Sequence, residues 1–155
     1  MGQCLNISQG GEYAIASLAR LALGFPEAVP VSILARTQGV PAAFLAKILG
    51  RCAKAGIVRS RTGPSGGMSL ARSPELIPVL DIIEACEGPL ERARCVFYSE
   101  RPCAGTDCLI YCPLRRKEEN MRRDLRETTL ADMARSLQDH PLSQGGREWT
   151  QRRAI

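Results

Sequence analysis

The chain has 155 residues, 45% hydrophobic and 24% charged, the balance of an ordinary globular domain; a wholly disordered chain is excluded, and roughly 70% surface burial at this size needs no disulfide staples. It holds neither the long apolar run of a membrane-spanning helix nor a secretory signal, so a cytoplasmic location is expected and no membrane partner. Its net charge of +5 is lopsided, with eight Lys/Arg against Glu12 and Glu27 (a net +6) in residues 1–72 but 13 basic against 14 acidic residues in 73–155. A basic field confined to one half points to a polyanion, with nucleic acid first.

Helical spacing of Ile15, Leu18, Ala19 and Ala22 predicts a first helix over residues 12–23, ended by Gly24 and Pro26. A short helix over 31–37 follows Pro30, and Gly39 permits a tight turn. Pro41 suits the first position of a third helix running to about Ala55, with Gly56 as its stop. That helix carries an apolar stripe of Leu45, Ile48, Leu49 and Cys52. Lys47, Arg51 and Lys54, spaced four and three apart, share its other side. Short helix, Gly turn and basic amphipathic helix make a helix-turn-helix. Two strand-like runs, 57–61 and 68–72, flank TGPSGG and predict a β-hairpin, which completes a winged helix.

Residues 75–87 read as an apolar helix with Pro78 in its first turn and Gly88-Pro89 at its end. A cysteine loop occupies 95–112. Pro113 then opens a charged helix over 114–127, whose sparse stripe of Leu114, Met121 and Leu125 suits packing on another helix. Thr129 with Asp132 resembles a capping box and starts a short last helix. From Gln138 the composition is polar and Gly-rich, so disorder is expected. The predicted fold class is mainly α with a small β-hairpin. Its parts are a winged helix-turn-helix DNA-binding domain (1–90), a cysteine cluster loop (91–112), a dimerisation helix with a short last helix (113–137) and a tail (138–155).

A major groove admits one α-helix, whose first turns approach the base edges. In this reading Pro41, Ala42, Ala43, Ala46 and Lys47 face the bases, and Lys47, Arg51 and Lys54 reach phosphates. Arg59 and Arg61 of the hairpin lie against the backbone or the minor groove. Gly63, Gly66 and Gly67 allow backbone N–H groups to approach phosphate closely.

Seven cysteines are many for a reducing compartment, where clustered thiols bind metal or carry out redox chemistry. Cys95, Cys103, Cys108 and Cys112 stand with seven, four and three residues between successive members, among the turn formers Pro102, Gly105 and Asp107. The spacing leaves open an iron–sulfur cluster, a closed zinc site and a set of free or redox-active thiols. Cys52 and Cys86 sit on apolar helical faces and read as small core residues. No hydrolytic constellation is visible, so the chain reads as a non-enzyme. An electron-transfer protein using the same cluster is the rival of another class, and the basic winged half argues against it.

Several segments together resemble one family: ISQGGEYAI, LARTQGVPAAFLAKIL, GIVRSRTGPSGGMSLAR, DIIEACEGP, the step from Cys103 to Leu109, and RETTLADM. The family is that of the iron–sulfur cluster-binding winged-helix transcription regulators (IscR/NsrR/RirA-like). The likeness runs from about Ile7 to Leu137, and RTGPSGG is its most specific mark. It implies a homodimer crossed by the helix over 114–127, a double-stranded DNA operator, and a regulator of transcription, most simply a repressor. It further implies a 2Fe–2S or 4Fe–4S cluster that senses redox state, nitric oxide or iron supply. By position its cysteine ligands are Cys95, Cys103 and Cys108. The fourth ligand varies in the family. Where some members have His this chain has Tyr111, with Cys112 one residue further on; in others an acidic side chain from the partner's first helix serves, matched here by Glu12. The gap from Cys95 to Cys103 is longer than usual. Thr62, beside Arg61, stands where some members insert a wing Arg into the minor groove. A regulator with structural zinc or a thiol switch is the alternative reading.

Overall fold

The computed structural model describes residues 7–63, 66–89 and 111–139. Helix α1 runs Gln9–Leu23 and starts three residues earlier than predicted, with Gly10 and Gly11 inside it. The cause is Ser8, whose Oγ accepts the Gly11 N–H at 3.3 Å as an N-cap. The Ser8 N–H and hydroxyl also donate to Glu87 at 3.1 and 2.6 Å, which moors this end of the helix.

Helix α2 (Val31–Gln38) ends at Gly39, which is left-handed at φ 65° and turns the chain tightly, as expected. Helix α3 spans Ala42–Lys54, with Pro41 at the N-cap instead of the first helical position. The Pro41 carbonyl accepts the Phe44 and Leu45 N–H groups at 3.1 Å. Strands β1 (Val58–Arg61) and β2 (Gly67–Leu70) form the predicted antiparallel hairpin, in register from Val58↔Leu70 to Arg61↔Gly67. Val29, between α1 and α2, adds a third rung by exchanging two 2.9 Å hydrogen bonds with Met68.

The helix predicted from residue 75 is broken. A 3₁₀ turn covers Pro74–Leu76, Ile77 is extended, and α4 begins only at Val79, with Pro78 as its N-cap. Proline biases the residue before it away from helix, so Pro78 marks the boundary instead of sitting in the first turn. The break also turns Leu76 out to solvent, 65% exposed. After α4 (Val79–Glu87), helix α5 spans Tyr111–Glu127. Tyr111 and Cys112 thus belong to its first turn and not to the preceding loop. Pro113 is accepted there because an N–H in the first turn has no intrahelical partner. Helix α6 (Leu130–Asp139) carries Gln138 and Asp139, which were expected in the tail.

The Thr129–Asp132 capping box forms as predicted. The Thr129 N–H donates to Asp132 at 2.8 Å, and the Asp132 N–H donates to the Thr129 hydroxyl at 3.2 Å. These bonds hold the Asp132 carboxyl below the usual carboxylate range. The joint between α5 and α6 is stitched to the start of α4. The Val79 N–H donates to the Thr128 carbonyl at 2.9 Å, and the Leu130 N–H donates to the Ile77 carbonyl at 2.8 Å.

One core unites these elements. Leu18 and Leu21 of α1 pack with Leu34 of α2, Leu45 and Leu49 of α3, Ile57 and Leu70 of the hairpin, Ile82 of α4 and Leu130 of α6. Each such side chain contributes about 1.5–3 kcal/mol by leaving water. Helix α1 is the spine, touching α3, α4 and α6. Helix α6 therefore shares the core of the winged helix, although its sequence position grouped it with the dimerisation helix. No helix among the described residues is long and apolar enough to cross a membrane.

Candidate nucleic-acid interface and metal ligands

Helix α3 buries Leu45, Ile48, Leu49 and Cys52. Helical geometry then sets Ala43, Lys47, Gly50 and Lys54 in a row on the opposite side. Ala42 and Ala46 flank that row on one side, Phe44 and Arg51 on the other. Pro41, Ala42, Ala43, Ala46 and Lys47 are all exposed at the leading end, as the sequence suggested. Lys47 and Lys54 stand roughly 10 Å apart along the axis.

Arg51 behaves differently from the two lysines. Its Nη1 donates to the Cys86 carbonyl at 2.7 Å, in the last turn of α4, where a cation also meets the negative end of the helix dipole. Expected as a phosphate contact, Arg51 is a strut between α3 and α4.

In the wing, Arg59 and Arg61 are exposed on one face of β1, with Ser60 on the other. Arg59 Nε donates to Ser69 Oγ across the strand pair at 3.3 Å. Thr62 and Gly63 are exposed at the tip, Gly63 with φ 116°. Gly66 and Gly67 have another reason to be glycine than the predicted approach to phosphate. The Gly66 N–H already donates to the Gly63 carbonyl at 2.8 Å. A Cβ on Gly66 would lie 2.6 Å from the Arg61 carbonyl oxygen, and one on Gly67 would press on Val29 and on Pro30 N at 2.7 Å. The hairpin closes on itself and on Val29 too tightly for a side chain.

Among the described residues, no ion pair holds Lys47, Lys54, Arg59 or Arg61. Basic residues elsewhere are paired: Arg72 with Asp81 at 2.8 Å, Arg122 with Glu84 at 2.9 Å and Arg115 with Glu119 at 3.5 Å. One residue of this surface escaped the sequence reading. Phe44 is 43% exposed beside the outer row, and its ring meets Tyr13 of α1 edge-on, centroids 6.0 Å apart. The available signal was an aromatic residue lying off the Leu45–Ile48–Leu49–Cys52 stripe.

Of the candidate metal ligands, Cys95, Cys103 and Cys108 lie outside the described residues, and Cys112 is described only as backbone in α5. Glu12 sits half-buried in the first turn of α1, next to Tyr13. No group of three or more metal-ligating side chains occurs among the described residues. On α5, Met121 and Leu125 are half-buried one turn apart, while the Leu114 side chain lies outside the described set.

Residues 7–136 match the family described as Rrf2, iron-dependent transcriptional regulator. A Mycobacterium tuberculosis protein bearing the name of an HTH-type transcriptional regulator is 34% identical over 131 residues, 84% of this chain and 81% of its own length. Among solved structures, CymR, the global cysteine regulator of B. subtilis, superposes with a TM-score of 0.74 at 25% identity, covering 85% of this chain and 98% of CymR. T. potens IscR gives 0.68 at 28% identity, covering 85% and 88%.

Proposed function

Because the chain belongs to the Rrf2 family of winged-helix transcription regulators, DNA-binding proteins and not enzymes, we propose that it is a homodimeric repressor whose hold on an operator is set by an iron–sulfur cluster. The observation that carries the DNA-binding half is the set of basic side chains without ion pairs, Lys47 and Lys54 on α3 with Arg59 and Arg61 on the wing. Phosphates complete their charge balance on docking, with release of counterions. Two such faces related by a dimer axis suit a palindrome-like operator whose half-sites lie about one helical turn apart.

The leading turns of α3 also bear on how bases are read. Lys47 is their one charged hydrogen-bonding side chain, and around it stand Ala42, Ala43, Phe44 and Ala46. Lys47 suits guanine O6 and N7, while the apolar group suits thymine methyls.

The donor chemistry of the cysteine segment, soft thiolates close in sequence, fits a cluster. Cys95, Cys103 and Cys108 would hold it, with Glu12 of the second subunit or Cys112 completing the set. When bound, such a group supplies reversible redox chemistry and a bond between chain segments. This chain's own residues pass its state onward. Glu12 neighbours Tyr13, which leans on Phe44 of α3, and the Arg122–Glu84 pair joins α5 to α4. A signal must distinguish the two states by about 1–3 kcal/mol to matter. The reading includes cytoplasmic location and control by redox state, nitric oxide or iron supply.

Anaerobic purification with iron and sulfide counts, a visible spectrum and a salt-titrated operator shift assay test it together. The expected result is a coloured, iron-containing dimer whose DNA affinity falls steeply with salt, with the visible bands lost in Cys108→Ser. Colourless, iron-free protein that still binds the operator moves the reading to structural zinc or a thiol switch. A coloured protein without DNA affinity moves it to electron transfer.

A further inference from the structure

Cys52 and Cys86 are the chemically reactive pair that the proposed function leaves unused. Cys52 lies toward the end of α3, Cys86 in the last turn of α4, and their Sγ atoms stand 3.9 Å apart, both thiols free. Cys52 is wholly buried and Cys86 is 6% exposed. The surroundings are not those of two idle core residues. The Arg51 guanidinium bonds the Cys86 carbonyl at 2.7 Å. The Cys52 carbonyl accepts the Ile57 N–H at 2.9 Å, at the root of the wing. Beyond Cys86 the chain passes Gly88 and enters the segment that carries Cys95. Recognition helix, wing and cysteine segment therefore meet at one sulfur pair.

We propose that Cys52 and Cys86 form a reversible intramolecular disulfide, an oxidation site distinct from the cysteine segment, that resets the seat of α3 and with it the grip on DNA. The chemical step needs an oxidant small enough for a nearly closed site, and a hydroperoxide such as hydrogen peroxide fits. The two sulfurs divide the roles. Hydrogen bonding from Cys52 and the nearby Arg51 charge hold the Cys86 thiol below its ordinary range, while that same bond and burial push Cys52 up. Cys86 thiolate attacks one peroxide oxygen, the O–O bond breaks, and the departing hydroxide takes a proton to leave as water. Cys86 becomes a sulfenic acid, oxidised by two electrons. Cys52 sulfur then attacks Cys86 sulfur, the S–O bond breaks, and the Cys52 proton leaves with that oxygen as a second water. Two thiols and one peroxide give one disulfide and two waters; a dithiol reductant restores both thiols by exchange. The new bond is about 2.0 Å long, so the sulfurs must approach by nearly half their present separation. Close packing around them passes that approach to the helices.

The DNA consequence rests on the proposed role of α3; the disulfide itself does not. The test treats full-length reduced protein with hydrogen peroxide under anaerobic conditions and maps linked peptides by mass spectrometry without reduction. A Cys52–Cys86 linked peptide that dithiothreitol removes is expected. Both residues recovered as free thiols, while the other cysteines oxidise, would overturn the site. Operator affinity is measured in a Cys108→Ser background, so that cluster oxidation cannot contribute. Peroxide should change it about fivefold or more, reversibly, and not in the same background carrying Cys86→Ala. Should the alanine fold poorly, Cys86→Ser serves the same purpose. A linked peptide with unchanged affinity would overturn the regulatory role while leaving DNA binding intact. Absence of any DNA binding before oxidation would count against the proposed function instead.

Discussion

The two halves of the molecule treat positive charge in opposite ways. Around α3 and the wing, Lys47, Lys54, Arg59 and Arg61 project without an acidic partner among the described residues, and Glu12 and Glu27 are the only acids in residues 1–72. In α4, α5 and α6 the cations are laced to carboxylates: Arg122 to Glu84, Arg115 to Glu119, Arg135 to Asp132. The contrast separates charge kept for an outside partner from charge spent on holding helices together. Arg51 shows that the division follows geometry and not sequence position, since it lies in the basic half and is spent internally.

The sharpest test removes the outward charge. Lys47→Ala with Lys54→Ala should lower operator affinity by about 1–3 kcal/mol if Lys47 reaches a guanine. The salt dependence should flatten by about 0.9 for each phosphate no longer neutralised. Thermal unfolding should not move, and a matched loss of stability would erase the contrast. Arg51→Ala should do the reverse, costing about 1 kcal/mol of folding stability through the missing bond to the Cys86 carbonyl and leaving the salt slope as it was. Chemical denaturation and the shift assay measure the two sides.

A smaller effect is expected from the DNA. Replacing operator thymines one at a time by deoxyuridine removes only the methyl. Positions read by Ala43, Phe44 or Ala46 should each lose about 0.8 kcal/mol. Insensitivity at every position would assign specificity to the wing instead. Smallest is Glu84→Gln, which weakens the half-buried pair to Arg122 and should cost about 0.5 kcal/mol of stability without altering the salt dependence. A changed salt slope would show that the laced half also touches DNA.

Much of this arrangement was legible in the amino-acid order because its signals are local. Gly39 after a short helix, Pro41 before an apolar stripe and the Gly/Pro run between two strand-like segments each fix backbone geometry within a few residues. Thr129 and Asp132 cap their own helix. The misreadings share a different cause. Ser8 caps α1 ahead of two glycines that look like breakers, and Pro78 splits a continuous apolar pattern whose outer member, Leu76, is left in water. The partners of Arg51, Phe44 and Cys52 (Cys86, Tyr13 and again Cys86) come from elements 31 to 35 residues away. No periodicity reports such pairings, so a phosphate ligand, an unnoticed ring and two core sulfurs became a strut, a buttressed contact and a facing pair only once the helices were packed.

The two backbone bonds from Val79 to Thr128 and from Leu130 to Ile77 have a mechanical meaning. They fasten the root of the long helix to the body that carries the wing, much as a handle is riveted to a blade. With α6 wrapped back onto α1, that root has no slack in which to swivel. A twist applied to the handle near its cysteine end must therefore arrive at the groove-reading edge as a turn of the whole blade.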